Sequence, residues 1–216
     1  MRFVPVKTPL VVKKMFPNYV WNMATDEKII YLTFDDGPTP EITNWTLAVL
    51  NEYNAKATFF CIGNNVKKHP EVFQNILKEG HTIGNHTHTH LKGWKTKTKA
   101  YIENVALAQS VIDVQYQGPE SINQNLFRPP YGQLKTKQGK KLIKQGYKII
   151  MWDVISFDWE RSVSKEKCLK NVLSTTKKGS IVVFHDSVKA SKNMQFALPK
   201  VLQHFSEKGY LFKALT

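Results

Sequence analysis

The chain has 216 residues, 42% of them hydrophobic and 12% aromatic, which supplies a substantial core and excludes a globally disordered protein. Its 31 Lys and Arg against 17 Asp and Glu give a net charge of +14, which favours anionic partners, although the lysines form no single basic block. The 2 cysteines, Cys61 and Cys168, lack Cys-x-x-Cys spacing and exclude a disulfide framework or a thiolate zinc cage.

Residues 1–28 contain Pro5, Pro9 and Pro17 with Phe16, Tyr19 and Trp21, and read as a segment strapped over the domain that follows. Their longest apolar run, Leu10-Val11-Val12, is too short for a signal peptide, and no stretch is long enough to span a bilayer. As written the chain reads as cytoplasmic; a trimmed sequence would allow export or a cell-envelope location.

From residue 29 to the end, one domain is expected in which short apolar runs alternate with helical patterns. Strands are expected at Ile29–Phe34, Ala57–Gly63, Thr82–His86, Leu126–Arg128, Tyr147–Val154, Ser180–His185 and Tyr210–Leu215. Helices are expected at Glu41–Tyr53, Pro70–Glu79, Lys97–Val114, Thr136–Gln145, Lys165–Thr175 and Phe196–Lys208. Gly80, Gly146 and Gly209 each close a helical pattern ahead of a strand, where a left-handed C-cap belongs. This alternation requires parallel strands joined by crossovers. Neither Gly-x-Gly-x-x-Gly nor Gly-x-x-x-x-Gly-Lys-Ser/Thr occurs. Polar residues instead gather at the C-terminal ends of the apolar runs, the face on which parallel barrels build their sites. A small, irregular barrel is the expected fold.

Four clusters carry candidate chemistry. Thr33-Phe34-Asp35-Asp36-Gly37-Pro38 ends a strand in two adjacent carboxylates, which repel unless a cation separates their roles; an Asp-Gly turn with a helix-capping aspartate is the plainer alternative. In His86-Thr87-His88-Thr89-His90 the first and last histidines are four apart, and two histidines plus one carboxylate leave the open position of a catalytic zinc. In an extended segment His88 shares their face, so spacing does not choose among the three. Arg128, before Pro129-Pro130-Tyr131-Gly132, can hold a carboxylate ionised or serve a structural ion pair, and the Tyr131 N–H can face a ligand. His185 ends an apolar run, and Asp153, Asp158 or Asp186 could hold it protonated as a general acid. Trp159 reads as core or as a pocket wall. His69, His81 and His204 read as structural or surface residues, and Cys61 as core.

Together these residues resemble the polysaccharide deacetylase family (the NodB homology domain, carbohydrate esterase family 4), from about Ile29 to the C-terminus. Five motifs stand in the family's order: Thr-Phe-Asp-Asp-Gly-Pro, His-Thr-x-x-His, Arg-Pro-Pro-Tyr-Gly, Asp-Trp, and an apolar run ending in His-Asp. The resemblance implies an α/β fold, a distorted (β/α)7 barrel like a TIM barrel, and metal-dependent removal of acetyl groups from N-acetylated, or O-acetylated, sugars of a glycan. It implies a divalent metal, zinc before cobalt or nickel, on Asp36, His86 and His90. It further implies Asp35 as base, His185 as acid, Arg128 holding Asp35 and Asp158 tuning His185. Tyr131 N–H would serve the oxyanion, and Trp159 and Val183 would line the acetyl pocket. The family most often has leucine where Val183 stands, and its exported members commonly carry a signal peptide or anchor.

Two other readings compete. An iron(II) oxygenase triad uses the same histidines and carboxylate but leaves Asp35, Arg128 and His185 without a task. A basic protein binding an anionic glycan or nucleic acid around a structural metal would use the net charge. The deacetylase reading expects an acetylated glycan as partner and no nucleic acid.

Overall fold

The computed structural model describes residues 5–116 and 125–216. After a short helix α1 (Leu10–Met15), the chain alternates strands and helices: β1 (Ile29–Asp35), α2 (Pro40–Glu52), β2 (Thr58–Cys61), α3 (Gly63–Lys68), α4 (Pro70–Lys78), β3 (Thr82–Asn85), α5 (Thr98–Gln115), β4 (Leu126–Phe127) and α6 (Thr136–Lys144). It continues through β5 (Lys148–Ile149), β6 (Val154–Ile155), α7 (Lys165–Thr175), β7 (Ile181–His185), α8 (Ser191–Glu207) and β8 (Leu211–Phe212). The strands run β5-β4-β3-β2-β1-β7-β6 with every pairing parallel, and β8 joins the N-terminal end of β1. This curled sheet with its helices is the distorted (β/α)7 barrel.

β5 and β6 are the two ends of that strand order, and the N-terminal segment hydrogen-bonds to both. Val20 N–H donates to Ile149 O at 2.8 Å and Val20 O accepts from Met151 N–H at 2.7 Å, while Val6 O accepts from Ile155 N–H at 2.9 Å. Asp153, between the two strands, holds the ammonium groups of Lys7 and Lys13. Trp21 is buried against Tyr101 and Phe127, and Phe16 stacks on Tyr19 with ring centroids 5.6 Å apart. Residues 1–4 of this segment lie outside the described residues.

The alternation along a strand sorts side chains between two layers. Ile30, Leu32 and Phe34 of β1, with Val182 and Phe184 of β7, face the helices in the main core, where Phe34 stacks on Phe59 at 5.0 Å. Each such buried side chain contributes roughly 1.5–3 kcal/mol of transfer free energy. The residues between them, Thr33 and Asp35 on β1 and Val183 and His185 on β7, share the opposite face. They stand as partners across the ladder, Thr33 with Val183 and Asp35 with His185.

The run Tyr147–Val154, expected as one strand, is two. Its middle leaves the ladder because the carbonyls of Ile150 and Met151 accept from the buried Arg128 guanidinium, at 3.3 and 2.8 Å. The expected strand ending at Gly63 stops at Cys61, and α3 begins at Gly63. That glycine meets α5 and the His88 ring so closely that an added Cβ would lie 2.7 Å from Ala108 Cα and from His88 Nδ1. α8 begins at Ser191, five residues before the expected start, and runs through Pro199. Gly80, Gly146 and Gly209 hold φ of 72°, 87° and 73°, the left-handed caps read from their position. Cys61 and Cys168 are buried free thiols.

Candidate active site

The C-terminal strand ends open onto a cleft of about 460 Å³ lined by Asp35, Asp36, His86, His90, Tyr131, Trp152, Trp159, Val183 and His185, among others. Asp35 is the last residue of β1 and faces the barrel interior. The next residue, Asp36, takes a left-handed φ of 81° and turns its carboxylate to the same cleft. Asp186 secures this turn: its carboxylate accepts from Gly37 N–H at 3.0 Å and from the Thr43 hydroxyl at 2.5 Å. A Cβ on Gly37 would lie 2.0 Å from an Asp186 oxygen, so only glycine fits. Burial raises the Asp186 pKa to about 7 against the opposing hydrogen bond from Thr43.

The histidine segment is neither helix nor extended strand. Thr87 and His90 have φ of 64° and 56°, and this reversal separates what an extended chain would align. His86 and His90 point at Asp36, their Nε2 atoms 3.7 and 3.2 Å from Asp36 Oδ1. His88 instead packs its ring beside Gly63, while its backbone N–H donates to Asn104 Oδ1 at 2.9 Å. Among the described residues, Asp36, His86 and His90 form the only cluster of this kind, with one ligand atom from each all within 4.8 Å of one another.

The donor set fits a cation. Asp36 Oδ1 is buried without a hydrogen-bond partner. Burial works against its charge, but the His90 contact and the neighbouring His185 and His86 imidazoles outweigh it and hold the carboxyl well below its usual range. Burial also pushes His86 down to about 4, so its imidazole is neutral. Its Nδ1 lies 2.7 Å from the Arg128 carbonyl; a proton donated there leaves the Nε2 lone pair facing Asp36, the usual outer support of a metal-ligating histidine.

Arg128 is fully buried. Its Nη1 donates to Asp35 Oδ1 and to Thr33 Oγ1, both at 2.7 Å, and its guanidinium lies 4.1 Å over the Phe60 ring. Burial lowers its pKa, opposed by the Asp35 charge. Asp158 accepts from the His185 backbone N–H at 2.7 Å, and its other oxygen is 2.8 Å from His185 Nδ1. Burial disfavours the imidazolium, yet Asp158, with smaller contributions from Asp36 and Asp35, raises the His185 pKa to about 9. Of the three aspartates that sequence left open beside His185, Asp158 meets it, Asp153 holds Lys7 and Lys13, and Asp186 holds the Gly37 turn. Tyr131 has φ of 59° and lays its ring against His90 at 4.6 Å. Trp159 covers His185 at 4.6 Å and stacks on Phe157 at 5.2 Å.

Trp152, which flanks the exit of the fifth expected strand, received no role from sequence. It lines the cleft because Gly132, with φ of 63°, leaves it room: a Cβ there would lie 2.5 Å from the indole. Asn85 and Lys189 also stand outside every motif read from the sequence. Asn85 accepts from Thr87 N–H through its side chain and from Arg128 N–H through its carbonyl, joining two site loops. No local sequence signal distinguishes these from ordinary strand and loop residues.

A parallel barrel whose strand ends gather two histidines, a carboxylate and two separate ion pairs, Asp35 with Arg128 and His185 with Asp158, has the parts of a hydrolase. The family model for polysaccharide deacetylase matches residues 22–150, and the chain belongs to that family. Among its relatives is a peptidoglycan-N-acetylglucosamine deacetylase of Bacillus cereus, 34% identical over 194 residues, which cover 89% of this chain and 88% of that protein. The peptidoglycan-N-acetylmuramic acid deacetylase PdaC of Bacillus subtilis is 30% identical over 86% of this chain and 37% of its own length. The crystal structure of the Bc1960 peptidoglycan N-acetylglucosamine deacetylase, in complex with 4-naphthalen-1-yl-N-oxidanyl-benzamide, superposes with a TM-score of 0.85 at 30% identity, covering 96% of this chain and 95% of that one.

Proposed function

We propose that this polysaccharide deacetylase is a zinc-dependent enzyme that removes acetyl groups from the N-acetylated sugars of a peptidoglycan-type glycan, with residues 1–28 as a strap and residues 29–216 as the catalytic domain. The observation that carries this reading is the convergence of the Asp36, His86 and His90 ligand atoms within 4.8 Å beside two independently paired groups, Asp35 with Arg128 and His185 with Asp158.

Asp36, His86 and His90 would hold the ion. An oxygen and two imidazole nitrogens with an open position suit zinc, and cobalt or nickel accept the same donors. When bound, such an ion polarises the amide carbonyl and lowers the pKa of water towards ~7. Asp35 takes the proton of the attacking water, and Arg128 orients that carboxylate through the bond to its Oδ1. The Tyr131 N–H donates to the oxygen on which negative charge develops. Protonated His185 gives its Nε2 proton to the departing nitrogen, while Asp158 holds the ring through Nδ1. Trp159 and Val183 wall the space for the acetyl methyl. An O-acetyl ester presents the same carbonyl and fits the same geometry.

The names of the relatives support an envelope glycan as substrate, and hence the envelope as the place of action. The iron(II) and polymer-binding readings give no task to the Asp35–Arg128 and His185–Asp158 pairs. The test is acetate release from N-acetylglucosamine oligomers and from peptidoglycan, with and without a chelator. Asp35→Asn should keep its metal and lose about 10³-fold or more in kcat. Turnover by Asp35→Asn equal to that of the parent would refute the base.

A further inference from the structure

Beyond Trp159 and Lys189, which line the catalytic cleft, those same two residues border a second cleft of about 410 Å³. Its walls come from the loop after β6, the start of α7 and the start of α8. Four cationic side chains line it: Arg161, Lys165, Lys189 and Lys192. The carboxylates on its walls are largely engaged. Asp158 is paired with His185, Glu160 accepts from the Ser162 N–H and hydroxyl at 3.4 and 3.3 Å, and Glu166 lies 3.9 Å from Lys165. Arg161, Lys189 and Lys192 make no close ion pair among the described residues. These four cations share the cleft with two carboxylates not paired to a histidine, Glu160 and Glu166, the second of which also feels the Lys192 charge; cations remain in excess, and an anion relieves their repulsion.

The position gives this charge a use. Because Trp159 and Lys189 line both clefts, a sugar chain leaving the catalytic cleft on that side would bring a substituent of its next sugar into the second one. We infer that the Arg161–Lys189–Lys192 cleft is a subsite for a carboxylate carried by the sugar next to the one being deacetylated. The inference rests on the glycan-deacetylase reading and adds to it the residues that would recognise the neighbouring sugar. Arg161 supplies a planar fork suited to a carboxylate, and Lys189 and Lys192 supply point charges.

The test uses length-matched glycan strands of N-acetylglucosamine alternating with an N-acetylated sugar bearing an ether-linked carboxylate, as the free acid and as its methyl ester. Equilibrium binding of each is measured by titration calorimetry, and acetate release separately. The free acid should bind about tenfold more tightly than the ester at low salt, as two or three exposed charge contacts allow. That preference should shrink as ionic strength rises. In Arg161→Gln/Lys192→Gln, with circular dichroism and melting like the parent, the preference should fall to about twofold or less. Equal binding of acid and ester by the parent, or an undiminished preference in the folded double variant, would overturn the subsite. Absence of acetate release from both strands and from a neutral N-acetylglucosamine oligomer would overturn the deacetylase reading instead, and the binding comparison still decides the subsite.

Discussion

Arg128 Nη1 meets Asp35 Oδ1 at 2.7 Å with the arginine fully buried and Asp35 only 4% exposed. A guanidinium removed from water is tolerable only because each of its three nitrogens has a partner: Asp35 and Thr33 Oγ1 on Nη1, and the carbonyls of Ile150 on Nε and Met151 on Nη2. Breaking the pair from one side strands a buried charge. Arg128→Met should therefore cost about 3–5 kcal/mol in urea denaturation. Arg128→Met/Asp35→Asn should cost clearly less than the sum of the two single changes, which a double-mutant cycle measures.

The histidine segment separates ligand from neighbour. His90→Ala should abolish stoichiometric metal in elemental analysis and with it acetate release. His88→Ala should retain both, because the His88 ring packs beside Gly63 rather than facing Asp36. Chelation should silence the parent enzyme, and added zinc should restore it.

His185 must be protonated to act as an acid, so activity should fall as pH rises through its pKa, about 9 in this structure. Asp158 is the largest influence holding that pKa up. In Asp158→Asn the alkaline limb of kcat/KM should move to lower pH by about one unit or more, together with a fall in kcat. An unmoved alkaline limb would dissociate His185 from that limb.

His81 carries a stability prediction away from the site. It is buried, its Nδ1 accepts from Ala57 N–H at 3.1 Å, and burial, with a smaller push from Lys56, depresses its pKa to about 3. Between that value and the ordinary histidine pKa of about 6.5, the unfolded chain binds a proton that the folded chain refuses. Stability should thus be fully present above pH ~6.5 and decline as the pH falls towards 3. His81→Gln, which keeps an acceptor, should flatten that decline in denaturation curves taken at several pH values.

Much of this was legible in the sequence, for physical reasons. Strand and helix alternation announced a parallel fold, and residues at strand ends announced the face that carries the site. The Asp35-Asp36 and His86–His90 clusters could be read as metal chemistry from charge and spacing. What spacing could not decide was settled by backbone reversals. Left-handed turns at Asp36, Thr87 and His90 swing His88 out of the group, and no pattern of residue types encodes them. The split of Tyr147–Val154 was hidden for a related reason. An arginine 22 residues earlier takes Ile150's carbonyl, and local propensity carries no record of so distant a donor. The aspartate beside His185 was likewise a choice among three that only packing could make.

Asp35 and His185 stand opposite one another across the β1–β7 ladder. The gauge between the proposed base and the proposed acid is therefore the spacing of two hydrogen-bonded strands, about 4.8 Å, and owes nothing to loop length. Loops around the rim can lengthen, shorten or change charge to suit another polymer while that gauge stays fixed. The same lattice punishes slippage: a shift of one residue would set Phe184 against Asp35 and turn His185 towards the helices.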